Sequence, residues 1–254
     1  MIGIFDSGIG GLPIARAIRD LDSTVDLLYF GDVAHAPYGT KDPEVVQQFV
    51  LRVMRHLRLE GATLLVSACN SASVTVIRPL MDLFGILESG VVEMVGPTVQ
   101  ALNQKQSGRI VVVATPTTVR SGMYEQGFAS VGLKVSMIAC PDLARAIEFG
   151  DSKAEIQRQV ERAVEEVLLR GCDTLVLGCT HYPFARSFFE QAFIKHECRV
   201  EIFDPAQAVA SYTLSRYSEK GEGKIRFLVS KYSPIFEQRV TELFGSHSVE
   251  EVIL

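Results

Sequence analysis

Long apolar runs are missing from this sequence. The longest, such as IVVVA at 110–114, fall far short of the roughly 20 residues that a bilayer-spanning helix needs. The first residues, MIGIFDSGIGG, lack a basic segment followed by an apolar one, so no secretory signal is expected. Positive charge is also in short supply. The formal net charge is −5 and there is no basic block, so neither nucleic acid nor an anionic membrane surface is an expected partner. The five cysteines are odd in number and scattered through 254 residues, unlike a disulfide framework. No C-x-x-C occurs, and His35, His56, His196 and His247 form no pattern, so no metal site is expected. A reducing cytoplasm, which keeps thiols available for chemistry, is the expected compartment.

What is present is ordinary globular composition, 47% hydrophobic and 22% charged, arranged as short apolar runs that alternate with longer amphipathic stretches. Strands are expected near 2–5, 25–30, 62–68, 91–95, 109–114, 134–138, 173–178, 199–203 and 225–229. Helical patterns fall at 42–60, 71–84, 117–130, 153–170, 183–195, 205–217 and 233–244. That alternation predicts an α/β fold with mainly parallel sheets covered by helices on both faces. No low-complexity linker divides the chain. Pro97 and the polar stretch 103–109 mark a crossing into a second unit, and DPA at 204–206 marks the return.

Ligands of open α/β sheets bind beyond the carboxyl ends of the strands. Five stretches belong to that edge: FDSGIGG (5–11), GDVAHAPYGTK (31–41), ACNSAS (68–73), ATPTTVRS (114–121) and GCTHYP (178–183). Their Ser, Thr, Asn, Gly and Cys residues suit a small polar ligand bearing carboxylates. GIGG after a strand is not the dinucleotide fingerprint in the correct frame, and Asp6 would repel a phosphate. No cofactor is read from it.

Two of these stretches echo each other. GATLLVSACN (61–70) and GCDTLVLGCT (171–180) align without gaps, so that Cys69 meets Cys179. Both thiols close an apolar run and precede a residue able to cap a helix, a position that lowers a thiol pKa. Either cysteine alone would read as a small buried hydrophobe; their equivalence argues for chemistry. Cys140, Cys172 and Cys198 lack that context and read as structural. His181 is a partner for Cys179 or a residue with no chemistry. Asp6 could be a helix cap, and Tyr38 and Gly39 an ordinary turn. On sequence alone Glu148 reads best as an ordinary helix-face acid.

With FDSGIGG, PYGTK, ACNSAS and LGCTHYP in this order and spacing, the chain resembles the glutamate racemases. These are the cofactor-independent branch of the aspartate/glutamate racemase family, which supplies D-glutamate for bacterial peptidoglycan. The resemblance runs from residue 2 to roughly residue 210. It implies two similar α/β domains, 1–95 completed by 206–254, and 96–205, with the active site in the cleft between them. It implies that Cys69 and Cys179 are the acid/bases on opposite faces of the substrate α-carbon. Asp6 would support Cys69, and Glu148 and His181 would support Cys179. Asp6, Ser7, Tyr38, Gly39, Asn70, Ser71, Thr118, Thr180 and His181 would bind glutamate. It further implies self-association, commonly as a homodimer. Aspartate or another amino acid as substrate, or a non-catalytic ligand-binding relative, are the alternatives. Three departures stand out: Ser71 replaces the usual Thr, Ser230 is followed by Lys231 rather than Gly, and the stretch 88–97 is less typical.

Overall fold

The structure, a computed structural model, describes residues 1–84, 90–105 and 108–254, with the backbone alone for 82–84. Among the described residues, ten short strands are distributed between two parallel sheets. They are β1 (Ile2–Asp6), β2 (Leu27–Gly31), β3 (Leu64–Ser67), β4 (Val91–Val92), β5 (Ile110–Ala114), β6 (Val135–Ala139), β7 (Thr174–Gly178), β8 (Glu201–Phe203), β9 (Ile225–Val229) and β10 (Val249–Glu251). The first sheet runs β10-β9-β2-β1-β3-β4 and the second β6-β5-β7-β8. The order β2-β1-β3-β4 in the first matches β6-β5-β7-β8 in the second, strand for strand. The 61–70 and 171–180 echo therefore has a structural counterpart, since β3 and β7 hold equivalent places beside β1 and β5.

Every residue of β1, β2, β3, β5 and β7 is buried, which is why these strands read as continuous apolar runs rather than alternating ones. Helices supply the covering faces. Pro43–Leu59 buries Val46, Val50, Val53 and Leu57, a stripe at helical spacing. Lys153–Arg170 buries Val160, Ala163, Val164 and Val167, and Ser152 caps it by accepting the Glu155 N–H. Burial of each such valine or leucine side chain contributes about 1.5–3 kcal/mol. The chain passes between the sheets through helices Val95–Gln104 and Ala206–Ser215, which pack on each other.

Some sequence expectations change. The strand expected at 91–95 stops at Val92, because the Glu93 carboxylate accepts the N–H groups of Val95 (2.5 Å) and Gly96 (2.7 Å) and starts a helix there. The single helix expected at 71–84 is α-helical at Asn70–Ala72, π-helical at Ser73–Ile77 and α-helical again at Arg78–Phe84. The helix expected at 117–130 breaks into Pro116–Arg120 and Met123–Ser130 at Gly122, whose φ of +64° is the left-handed region that glycine enters without a Cβ penalty. β10 is exposed at Glu250 and Glu251, with no apolar run to announce it. The crossing read at 103–109 and the stretch 88–97 each include residues, 106–107 and 88–89, that lie outside the described ones. Among the described residues no helix is long and apolar enough to cross a membrane.

Candidate active site

Segments that follow β1, β2, β3, β5, β6 and β7 meet around one small cavity between the two sheets. Its lining is Ser7, Pro37, Tyr38, Gly39, Cys69, Asn70, Ser71, Thr115, Ala144, Cys179, Thr180 and His181. Both cysteines of the internal echo are therefore on its wall, one from each sheet. The free room, about 10 Å³, matches a single water molecule.

The loop after β1 is the hub. Asp6 Oδ1 accepts the N–H groups of Gly8 (2.8 Å) and Gly10 (3.1 Å), and Oδ2 accepts the Thr180 hydroxyl (3.1 Å). These bonds fold the loop tightly against the other half of the molecule. Its glycines are needed for that approach. A Cβ on Gly8 would lie 2.2 Å from both Glu148 carboxylate oxygens, and one on Gly10 would lie 2.5 Å from Thr180 Oγ1 and 2.6 Å from His181 Nδ1. Asp6 does not cap helix Leu12–Leu21, whose N-cap is Gly11. Burial pushes the Asp6 carboxyl up, opposed by His181 and by its hydrogen bonds from Gly8 and Thr180, while the Glu148 charge adds to the rise.

Cys69 follows β3 as the N-cap of helix Asn70–Ala72. The helix N-terminus was expected to lower its pKa, and the structure gives the opposite direction. Burial, then the Asp6 charge, push the thiol well above its ordinary value, although the N–H groups of Ala72 and Ser7 point at the sulfur. In this state Cys69 is a thiol.

Cys179 follows β7, with its Sγ 3.9 Å from His181 Nδ1. His181 Nε2 lies 2.6 Å from Glu148 Oε2, which also accepts the Ile9 N–H at 2.9 Å. Glu148 is 2% exposed and so is not the helix-face acid that its sequence context suggests. Burial alone would lower the His181 pKa. Hydrogen bonds with Cys179 and Glu148, and the charges of Glu148 and Asp6, outweigh it and hold the pKa well above the ordinary value. An imidazolium so held donates at both nitrogens, to the Cys179 sulfur and to the Glu148 carboxylate.

The remaining site candidates divide by depth. Ser7, Tyr38, Gly39, Asn70, Ser71 and Thr180 line the cavity. Tyr38 is more than a turn residue: its hydroxyl donates to Asp32 (2.5 Å), which also holds His35 Nδ1 (2.8 Å). Gly39 O accepts the Thr117 hydroxyl (2.8 Å) from the other half. Thr118 lies behind the wall, fully buried, with its hydroxyl 3.1 Å from Thr115 Oγ1. Thr115 itself lines the cavity and faces Ser71 Oγ at 3.0 Å. The sequence signal for Thr115 was the Thr-Pro pair that opens a helix, N-cap then first helical residue. Pro37 opens the PYGTK stretch, and Ala144 carried no signal of its own. Ser230, one of the departures, accepts the Ala34 N–H (3.0 Å) and braces the segment leading to Tyr38.

Among the described residues no group of three or more His, Cys, Asp or Glu side chains is arranged to hold a metal ion. The lining residues include no lysine that could form a Schiff base with pyridoxal. What the site offers is a thiol on one wall, a thiol with a histidine–glutamate pair on another, and hydroxyl and amide donors between them.

Comparison with known proteins gives a consistent result. Residues 13–213 match the Asp/Glu/Hydantoin racemase family. A glutamate racemase of Acidothermus cellulolyticus is 40% identical over 186 residues, 72% of this chain and 70% of that protein. One from Aquifex aeolicus is 32% identical over 249 residues, 96% of this chain and 94% of that protein. The crystal structure of a glutamate racemase isoform from Bacillus anthracis superposes with a TM-score of 0.87 at 30% identity, covering 100% of this chain and 97% of that one.

Proposed function

The chain belongs to the Asp/Glu/Hydantoin racemase family, and from that premise we propose that it interconverts L- and D-glutamate by passing the α-proton between Cys69 and Cys179. The observation that carries this reading is that two thiols from equivalent strand ends of two like-ordered sheets line one cavity, one from each sheet. Binding alone has no use for that arrangement, whereas inversion at carbon needs a proton removed from one face and another delivered to the opposite face.

In each direction one sulfur takes the proton as a thiolate and the other gives one as a thiol. Burial and the Asp6 charge push the Cys69 thiol above its ordinary value, which favours its protonated form. Cys179 has the proton-handling apparatus: His181 at 3.9 Å, itself anchored by Glu148. After one turnover the roles are exchanged, and protons redistribute before the next forward cycle.

The α-proton of an amino acid is a weak acid because its neighbouring carboxylate is already negative. Charge that develops on that carboxylate in the transition state needs donors fixed in advance, in a space that excludes water. Ser7, Ser71 and Thr180 line the cavity and supply such donors. The reading is independent of pyridoxal. Its D-glutamate product would serve peptidoglycan synthesis.

The test is incubation of the pure protein with L- and D-glutamate in heavy water, with chirality and α-deuterium followed together. Each enantiomer should yield its mirror image carrying deuterium at the α-carbon. Absence of exchange with both enantiomers refutes the proposal, and faster exchange with aspartate reassigns the substrate.

A further inference from the structure

Tyr124 lies in the half of the molecule opposite Asn70, on helix Met123–Ser130, and is fully buried. It packs in an apolar cluster with Val74, Val95, Val99 and Phe128. Its one polar atom reaches out of that cluster: the hydroxyl donates to Asn70 Oδ1 at 2.6 Å. Burial raises the Tyr124 pKa above its ordinary value, so the proton is on the phenol oxygen throughout the physiological range.

The other end of the same amide is unusual. Asn70 Nδ2 is buried and has no hydrogen-bond partner among the described residues. Asn70 is itself 2% exposed and lines the cavity. A buried amide N–H₂ without an acceptor is costly, and the natural acceptor for it in this cavity is an anionic oxygen of a bound molecule. An amide can turn over and exchange its oxygen and nitrogen at small cost in shape. Something must therefore hold it in the useful orientation.

We infer that Tyr124 is a positioning residue: by donating to Asn70 Oδ1, it fixes the amide so that Nδ2 is presented as a donor to a substrate carboxylate. Tyr124 does not touch the substrate. The bond spans the two halves, so Asn70 is oriented when the halves are together. The inference rests on the proposed racemisation of an amino acid at this cavity.

The experiment compares wild type, Tyr124→Phe, Asn70→Ala and the double variant in the glutamate racemisation assay, with melting temperature measured for each. Wild-type turnover establishes the reaction itself, so failure of the functional reading is seen before any variant is made. Tyr124→Phe should raise KM about tenfold and leave kcat within about threefold, since it removes a donor's orientation from ground and transition states alike. In the Asn70→Ala background it should change KM less than twofold, because its effect runs through that amide. An unchanged KM in the single variant overturns the inference. So does an equal KM rise in both backgrounds, or a loss of kcat that merely tracks the loss of folded protein.

Discussion

Gly8 offers a sharp test of how the histidine–glutamate pair is held. A Cβ placed there would lie 2.2 Å from both oxygens of Glu148, where ordinary contact begins at 3.4 Å. The carboxylate would have to retreat by about 1.2 Å. It could not then keep both the 2.6 Å bond from His181 and the 2.9 Å bond from the Ile9 N–H. Loss of one buried hydrogen bond to a charged group costs about 1.5–3 kcal/mol, and forcing a methyl into a filled space adds about 1–3 kcal/mol. Gly8→Ala is thus expected to lower unfolding free energy by about 3–5 kcal/mol in urea titration. Displacement of that order in the catalytic apparatus is expected to slow racemisation about 10²-fold. Glu148→Asp withdraws the carboxylate by one methylene and makes room for the new methyl. The double variant should therefore be less destabilised than the sum of its parts. A Gly8→Ala protein within about 1 kcal/mol and twofold of wild type, or strict additivity in the double variant, refutes the reasoning.

Other expectations are more quickly stated. Cys69→Ser and Cys179→Ser should each slow racemisation by about 10²–10⁴-fold, the usual worth of a positioned acid or base, with circular dichroism unchanged; full activity in either would dismiss that thiol. His181 has its folded pKa raised above the unfolded value of about 6.5, so its stabilisation is complete below that pH and is lost as pH rises towards the folded value. Between pH 6.5 and 8 wild type should lose up to about 1.4 kcal/mol per pH unit from this source, and Glu148→Gln should flatten the slope; equal slopes would dissociate the pair from stability. Burial pushes the thiols of Cys140 and Cys172 up to about 12, while Cys198 is exposed. A thiol reagent at pH 8 should label Cys198 first, as peptide mapping would reveal, and prior labelling of Cys140 or Cys172 would contradict the burial.

Much of this architecture was legible because its strands are apolar on both faces. IVVVA and TLVLG announce β5 and β7 without reference to anything distant. The cysteines were legible for a related reason: the same short pattern occurs twice, and two copies of one strand end invite comparison. What was illegible depends on partners far along the chain. Glu148 looks like any helical acid until Ile9, 139 residues earlier, donates to it. Tyr124 is one more aromatic residue in a core until Asn70 is brought to its hydroxyl. At Cys69 local capping favours the thiolate, and burial together with the Asp6 charge from the loop after β1 opposes it.

The stitches across the cleft carry a kinetic consequence. Asp6 to Thr180, Ile9 to Glu148, Gly39 to Thr117, Ser71 to Thr115 and Asn70 to Tyr124 all join the two halves, around a space with room for little more than one water. An amino acid is admitted only when some of these are undone, each at a net cost of about 1 kcal/mol. The receptive form is then a minor fraction of the population, and apparent affinity is weakened by that fraction. Thr117, remote from the proton transfer, thereby becomes a dial on the working concentration range, one that evolution can turn without disturbing either sulfur.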